Sequence, residues 1–210
     1  MNHTLETSTR KVILSMLKTQ GPLSVHDISK QLGITEMAVR RHIQSLEKDD
    51  LLETKLVRQA MGRPTNVYTL APLADELFPK KYMQLTLDLL DELLEGEGQE
   101  KIERLFEGRQ AKLESRYQVR MSEKNLEERV AELALIQNEN GYMVDWSELG
   151  EDTYMFSEHN CPITQVANTF AQACQCELAL FRNLLNAKVE RTECLAKGAS
   201  KCVYIISQNK

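Results

Sequence analysis

The first 160 residues contain no cysteine, yet five follow in the last fifty: Cys161, Cys174, Cys176, Cys194 and Cys202. An odd number argues against a complete disulfide framework. No apolar run approaches the roughly 18 residues that a membrane span requires. The opening "MNHTLETSTR" lacks a basic segment followed by an apolar one, so no secretory signal is expected. These absences point to the reducing cytosol. Thiols there are more often free, catalytic, redox-active or metal-bound than paired as structural disulfides. Internal repeats, low-complexity tracts and a sustained heptad are also missing. What remains is an ordinary globular composition, 42% hydrophobic and 27% charged. A chain of 210 residues can bury a core without covalent staples.

Charge is uneven along the chain. The net value is −5. Residues 1–70 carry ten Lys/Arg against seven Asp/Glu, whereas the remainder is acidic. A basic head on an acidic body permits nucleic-acid binding at the head only.

The head reads as short helices closed by a hairpin. Val12, Ile13, Met16 and Leu17 recur at helical spacing, and Gly21-Pro22 ends that helix. Leu23 begins a very short strand. Ser24 caps a second helix, with Asp27 as its capping-box partner. Gly33 allows a sharp turn, and Thr35 caps a third helix whose buried stripe is Val39, Ile43 and Leu46. Two β-prone runs, "LLETKLVR" and "NVYTL", flank a Gly-Arg-Pro hairpin tip. The segment "LSVHDISKQLGITEMAVRRHIQSLEKDDLLE" with "GRPTNVYTL" resembles a winged helix-turn-helix domain of the DeoR/ArsR-like kind.

Such a third helix suits the major groove of DNA. With its stripe inward, Thr35, Met37, Arg40, Arg41 and Gln44 face outward. Arginine pairs bidentately with guanine and glutamine with adenine. Thr35 stands at a helix N-terminus, where backbone N–H groups favour a phosphate. Arg63 at the hairpin tip suits a minor groove. The competing reading of Arg40 and Arg41 is a solvated helix face. His26 and His42 read as surface or packing residues.

Beyond the head, "APLADELFPKKY" reads as a connector and "YMQLTLDLLDELL" as a leucine-rich helix broken by Gly96 and Gly98. A charged helix follows, with Ile102, Phe106, Leu113 and Tyr117 on one side. Another begins at Ser122, striped by Leu126, Val130 and Leu133. These helices serve either their own core or a second subunit. A homodimer matches two-fold symmetric operators. From Gly141 the pattern is strand, strand, helix, strand, strand. The expected fold is therefore mostly α with α+β parts. It comprises a winged helix-turn-helix at 1–72, a helical linker or dimerisation region at 73–140 and a small ββαββ cysteine domain at 141–210.

Three cysteines follow the spacing Cys161-x12-Cys174-x27-Cys202, with "HNCP" at the first and "GASKCVYI" at the last. Together with the head, this resembles the SufR-type regulators of iron–sulfur cluster biosynthesis. The resemblance implies a [4Fe–4S] cluster that controls DNA binding, and repression of iron–sulfur assembly genes. It leaves the fourth ligand open between Cys194, His159 and Glu177.

Thiolates are the usual ligands of such clusters, normally four in number. Geometry sets a condition. On one straight helix, Cys161 and Cys174 would lie about 20 Å apart along the axis. Joint ligation therefore predicts a helix break near Asn168–Gln172. The bland alternatives are specific. Cys174 falls on an apolar stripe with Val166, Phe170, Leu178, Phe181 and Leu185, where free cysteine is a common filler. Cys161 precedes a proline at a helix start, where a thiolate is stabilised. Cys176 points about 200° away from Cys174 on a helix and reads as a bystander.

Two other functions compete. Structural zinc or a thiol redox switch keeps gene regulation and changes the sensor, because zinc accepts the same ligands. A cysteine-dependent enzyme fused to a DNA-binding head needs an oriented base beside Cys161. His159 is near in sequence but no third group is legible, so no catalytic residue is assigned.

Overall fold

The computed structural model describes residues 8–58 and 63–209. It divides into two compact units that meet at Lys80 and Lys81.

The first unit opens with α1 (Thr9–Gln20), β1 (Leu23–Ser24), α2 (Val25–Leu32) and α3 (Glu36–Lys48). A hairpin of β2 (Leu52–Val57) and β3 (Thr65–Leu70) follows. The three strands form one antiparallel sheet in the order β1-β3-β2. The capping box is present: the Asp27 amide donates to Ser24 Oγ at 3.2 Å, and the Ser24 amide to Asp27 Oδ2 at 3.0 Å. Gly33 takes the left-handed conformation, φ 66°, that makes the turn into α3. Ile13, Leu17, Ile28, Val39, Ile43, Leu46 and Tyr68 fill the core. Leu14 is buried too, although the expected stripe omitted it. The Gly62 end of the expected hairpin tip lies outside the described residues.

The proline-rich connector is part of this unit. Pro72–Leu77 forms a 3₁₀ turn that buries Ala74 completely. Lys18 holds it, reaching Asp75 at 2.5 Å and lying 4.9 Å from the Phe78 ring centroid. The head thus runs past the boundary expected at residue 72.

The second unit begins with α4 (Tyr82–Glu97), α5 (Gln99–Met121) and α6 (Leu126–Glu139). Gly96 does not break α4; Gly98, at φ 78°, does. The third helix starts later than Ser122, because Asn125 and Glu128 cap each other there. Next come β4 (Val144–Gly150), β5 (Thr153–Glu158), α7 (Thr164–Thr169), α8 (Gln172–Leu185), β6 (Ala187–Glu193) and β7 (Cys202–Gln208). The sheet is antiparallel, in the order β4-β5-β7-β6. The helical stretch between the strand pairs is two helices, separated at Phe170 and Ala171, within the expected Asn168–Gln172 break.

Phe156, Phe181 and Tyr204 pack edge-on or tilted, with centroids 5.0–6.2 Å apart. Tyr117, Met121, Val130 and Leu133 from α5 and α6 join the same core. The helical middle and the cysteine segment, expected as separate regions, therefore share one interior. A second cluster centres on Ile102, Phe106, Phe170 and Ala173. Among the described residues, no helix is long and apolar enough to cross a membrane.

Candidate functional site

The candidate DNA-facing surface is set by the stripe that α3 buries. Val39, Ile43 and Leu46 point inward, so Thr35, Met37, Arg40, Arg41 and Gln44 all stand exposed. Thr35 Oγ1 accepts the Ala38 amide at 3.2 Å, which satisfies one free donor of the first turn. Arg40 pairs with Glu36 at 3.4 Å, and Glu36 also meets His26 at 3.3 Å. Arg41 has no ion-pair partner among the described residues. Arg63 is exposed beside the wing. His26, Glu36, Arg40, Pro64 and Asn66 line one depression between α3 and the hairpin. Asn66 was missed in the sequence, where it reads only as strand. Arg10 ties α1 to α3 by donating to Ser45 Oγ at 2.7 Å and pairing with Asp49.

The thiols come from four places. Cys161 lies between β5 and α7, and Cys174 in the first turn of α8. Cys194 follows β6, and Cys202 opens β7. The chain between the last two closes tightly: the Lys197 and Ala199 amides donate to the Cys194 carbonyl at 3.0 and 3.2 Å. Gly198, at φ 88°, makes the reversal. The break at Phe170 interrupts the helix between Cys161 and Cys174.

Cys194 is within electrostatic reach of Cys161, Cys174 and Cys202. The Leu195 amide donates to Cys202 Sγ at 3.3 Å. The Ile163 amide hydrogen-bonds with the Cys161 sulfur. Burial pushes the Cys161 thiol up to about 11, and those of Cys174 and Cys202 to about 12. Arg191 opposes the shift at Cys174 and donates to the Cys174 carbonyl at 2.9 Å.

The other candidates separate. Cys176 meets Glu107 and Arg109 of α5 instead of the other thiols. His159 is exposed and paired with Asp145. Glu177 stands beside the thiols, but Tyr142 and Tyr204 hold its carboxyl. Tyr204 Oη lies 3.2 Å from both Glu177 and Glu158. A single hydroxyl hydrogen serves one of them at a time. Glu158 is almost fully buried and accepts from Gln137 at 2.8 Å. Burial and mutual repulsion raise both carboxyls above their ordinary range. This carboxyl pair was not legible in the sequence, because its members come from β5 and α8.

Among the described residues, no three His, Cys, Asp or Glu side chains stand at the spacing that holds a single metal ion. An iron–sulfur cluster takes one thiolate per iron, so its ligands surround a volume instead of meeting at one point. Four thiols around one region, two receiving backbone N–H groups, with a guanidinium nearby, fit such a group chemically.

The family described as HTH domain matches residues 9–54. No curated protein matches the chain by sequence. Similar solved structures include RV1404 from Mycobacterium tuberculosis, at 18% identity over 33% of this chain and 46% of that one, TM-score 0.29. The chain thus spans about half the length of that relative. The adhesin competence repressor AdcR from Streptococcus pyogenes is 31% identical over 42% of this chain and 66% of that one, TM-score 0.31. PadR from Bacillus subtilis, solved with operator DNA, is 14% identical over 85% of this chain and 94% of that one, TM-score 0.29. These likenesses are remote, and the assignment rests on the domain match and on the α2–turn–α3–hairpin arrangement. The N-terminal unit carries a helix-turn-helix domain with the strand hairpin of a winged head.

Proposed function

We propose that this chain is a cytosolic, homodimeric transcriptional repressor of iron–sulfur assembly genes, and that a [4Fe–4S] cluster on Cys161, Cys174, Cys194 and Cys202 controls its DNA binding. The carrying observation is the position of Cys194, in reach of the three other thiols across the α7–α8 break. Target genes follow from the SufR-type resemblance. The DNA contacts are assigned to Thr35, Met37, Arg40, Arg41, Gln44 and Arg63.

When bound, the cluster supplies an oxygen- and redox-sensitive tie between four chain segments. The protein's own groups prepare for it. Four thiolates concentrate negative charge; burial holds the Glu158 and Glu177 carboxyls above their ordinary range, and Arg191 offsets part of the charge. α7 hangs between Cys161 and Cys174, and it packs in the cluster of side chains that takes the inner leucines of α4. α4 follows the head directly in sequence. Loss of the tie frees α7 and reaches α4 through that packing, which shifts the population of DNA-competent dimers.

A set of four cysteines also suits zinc, which is the second reading. One anaerobic preparation separates them. Brown protein with iron and sulfide, whose DNA binding changes on cluster removal, supports the proposal. Colourless protein with one zinc per chain overturns it.

A further inference from the structure

Helix α4 has two apolar faces. Leu87, Leu90 and Leu94 pack against the Ile102–Phe170 core, with half-buried Leu93 at the edge between the two faces. Tyr82, Leu85 and Leu89 recur at i, i+3 and i+7 on another side, and are 69, 55 and 61% exposed. A helix at the edge of a core needs one apolar stripe; a second, in solvent, marks a contact surface.

We infer that this outer face receives a second copy of the chain, α4 against α4, antiparallel about a two-fold axis through Leu89. The inference deepens the proposed homodimer by locating its contact, and it does not depend on which metal the thiols take.

Self-complementarity commits the face to this occupant. With the axis at Leu89, residues equally far from it along the helix oppose each other. Tyr82 then lies over the partner's Gly96, and Leu85 over the partner's Leu93. A Cβ added at Gly96 meets nothing within 4 Å, so the backbone there is open to an incoming ring. Charge sets the direction. α4 carries Asp88, Asp91, Glu92, Glu95 and Glu97 but no Lys or Arg, while Lys81 immediately precedes it. Parallel pairing would lay the acidic run against itself. Antiparallel pairing brings Lys81 of each copy to the acidic end of the other and opposes the two helix dipoles favourably.

Beside this stripe, Thr86 and Leu90 of α4 line an apolar groove of about 270 Å³ whose walls include Leu105, Ile163 and Val166. Ile163 and Val166 lie just after Cys161, so α4 borders both the inferred contact and the segment that carries the first thiol.

The test uses full-length protein, purified anaerobically, with iron, zinc and sulfide measured on the same samples. Sedimentation velocity is run on the wild type and on Leu85→Glu and Leu89→Glu. Both positions are exposed, so the monomer fold is kept, which circular dichroism checks. The expected result is a wild-type dimer and self-association weakened on the order of 100-fold or more in each variant, since every change strikes the contact twice. Leu89→Cys, at the axis, should cross-link to itself under mild oxidation above the wild-type background. Val119→Cys, exposed on α5, should not. A monomeric wild type, dimers unaffected by both Glu substitutions, or cross-linking at position 119 and not at 89 each overturns the inference. Metal content reads the cluster proposal separately.

Discussion

Cys174 and Cys194 lie within electrostatic reach of each other, although a strand and most of a helix separate them in the chain. That proximity nominates Cys194 as the fourth member of the proposed group. Cys194→Ser should therefore lose bound iron and sulfide as fully as Cys161→Ser, Cys174→Ser or Cys202→Ser. Cys176→Ser should keep a full complement. Metal and sulfide analysis of the five variants decides this, and retention by Cys194→Ser would remove Cys194 from the site.

The break between α7 and α8 depends on Phe170, which is 3% exposed in the core with Phe106, their centroids 6.3 Å apart. Phe170→Ala is expected to cost about 3–5 kcal/mol through lost burial and the cavity left behind. Urea denaturation measures the cost. The same variant should hold its metal more weakly, because the break between Cys161 and Cys174 loses its anchor.

Among the described residues Arg41 finds no ion-pair partner, whereas Arg40 is partly engaged with Glu36. Arg41→Ala should weaken binding to a specific operator by about 1–3 kcal/mol and relax discrimination at one base pair. Arg63→Ala should act mainly where the flanking minor groove is narrow. Titrations against operator and scrambled duplexes at fixed salt distinguish the two.

Two carboxyl groups should give opposite pH signatures in metal-free protein. Glu158 has a raised folded-state pKa, so its stabilising contribution is full below the ordinary carboxyl value and is lost as pH rises through the raised one. Glu158→Gln should flatten the fall in stability on going from about pH 5 to about pH 8. Glu132 is the reverse. Lys124 at 2.5 Å and Arg120 at 2.7 Å hold its pKa down. Its contribution is present above the ordinary value and lost as pH falls through the lowered one. Glu132→Gln should cost about 1 kcal/mol near neutrality and nothing in strong acid. Thermal melts across pH read both.

Local signals made the head legible. The Ser24–Asp27 box, the Gly33 turn and the Val39–Ile43–Leu46 stripe act over a few residues, and each appears where the pattern places it. Gly96 and Ser122 misled for the same reason. A glycine lowers helix propensity by about 1 kcal/mol, which neighbouring packing overrides, and Asn125 caps better than Ser122 with Glu128 in place to answer it. The Pro72–Leu77 turn was read as a connector because one buried alanine makes no periodic signal.

The sequence by itself determined the winged head, the exposed set on α3 and the need for a break between Cys161 and Cys174. The last followed from helix geometry, without a strong breaker residue. Only the tertiary structure separates Cys194, His159 and Glu177 by their surroundings. The Gly198 reversal turns the chain between Cys194 and Cys202, His159 turns to Asp145, and Glu177 is held by two tyrosines. Those outcomes depend on which strand lies beside which, and strand pairing is set by non-local burial that no short stretch of sequence records.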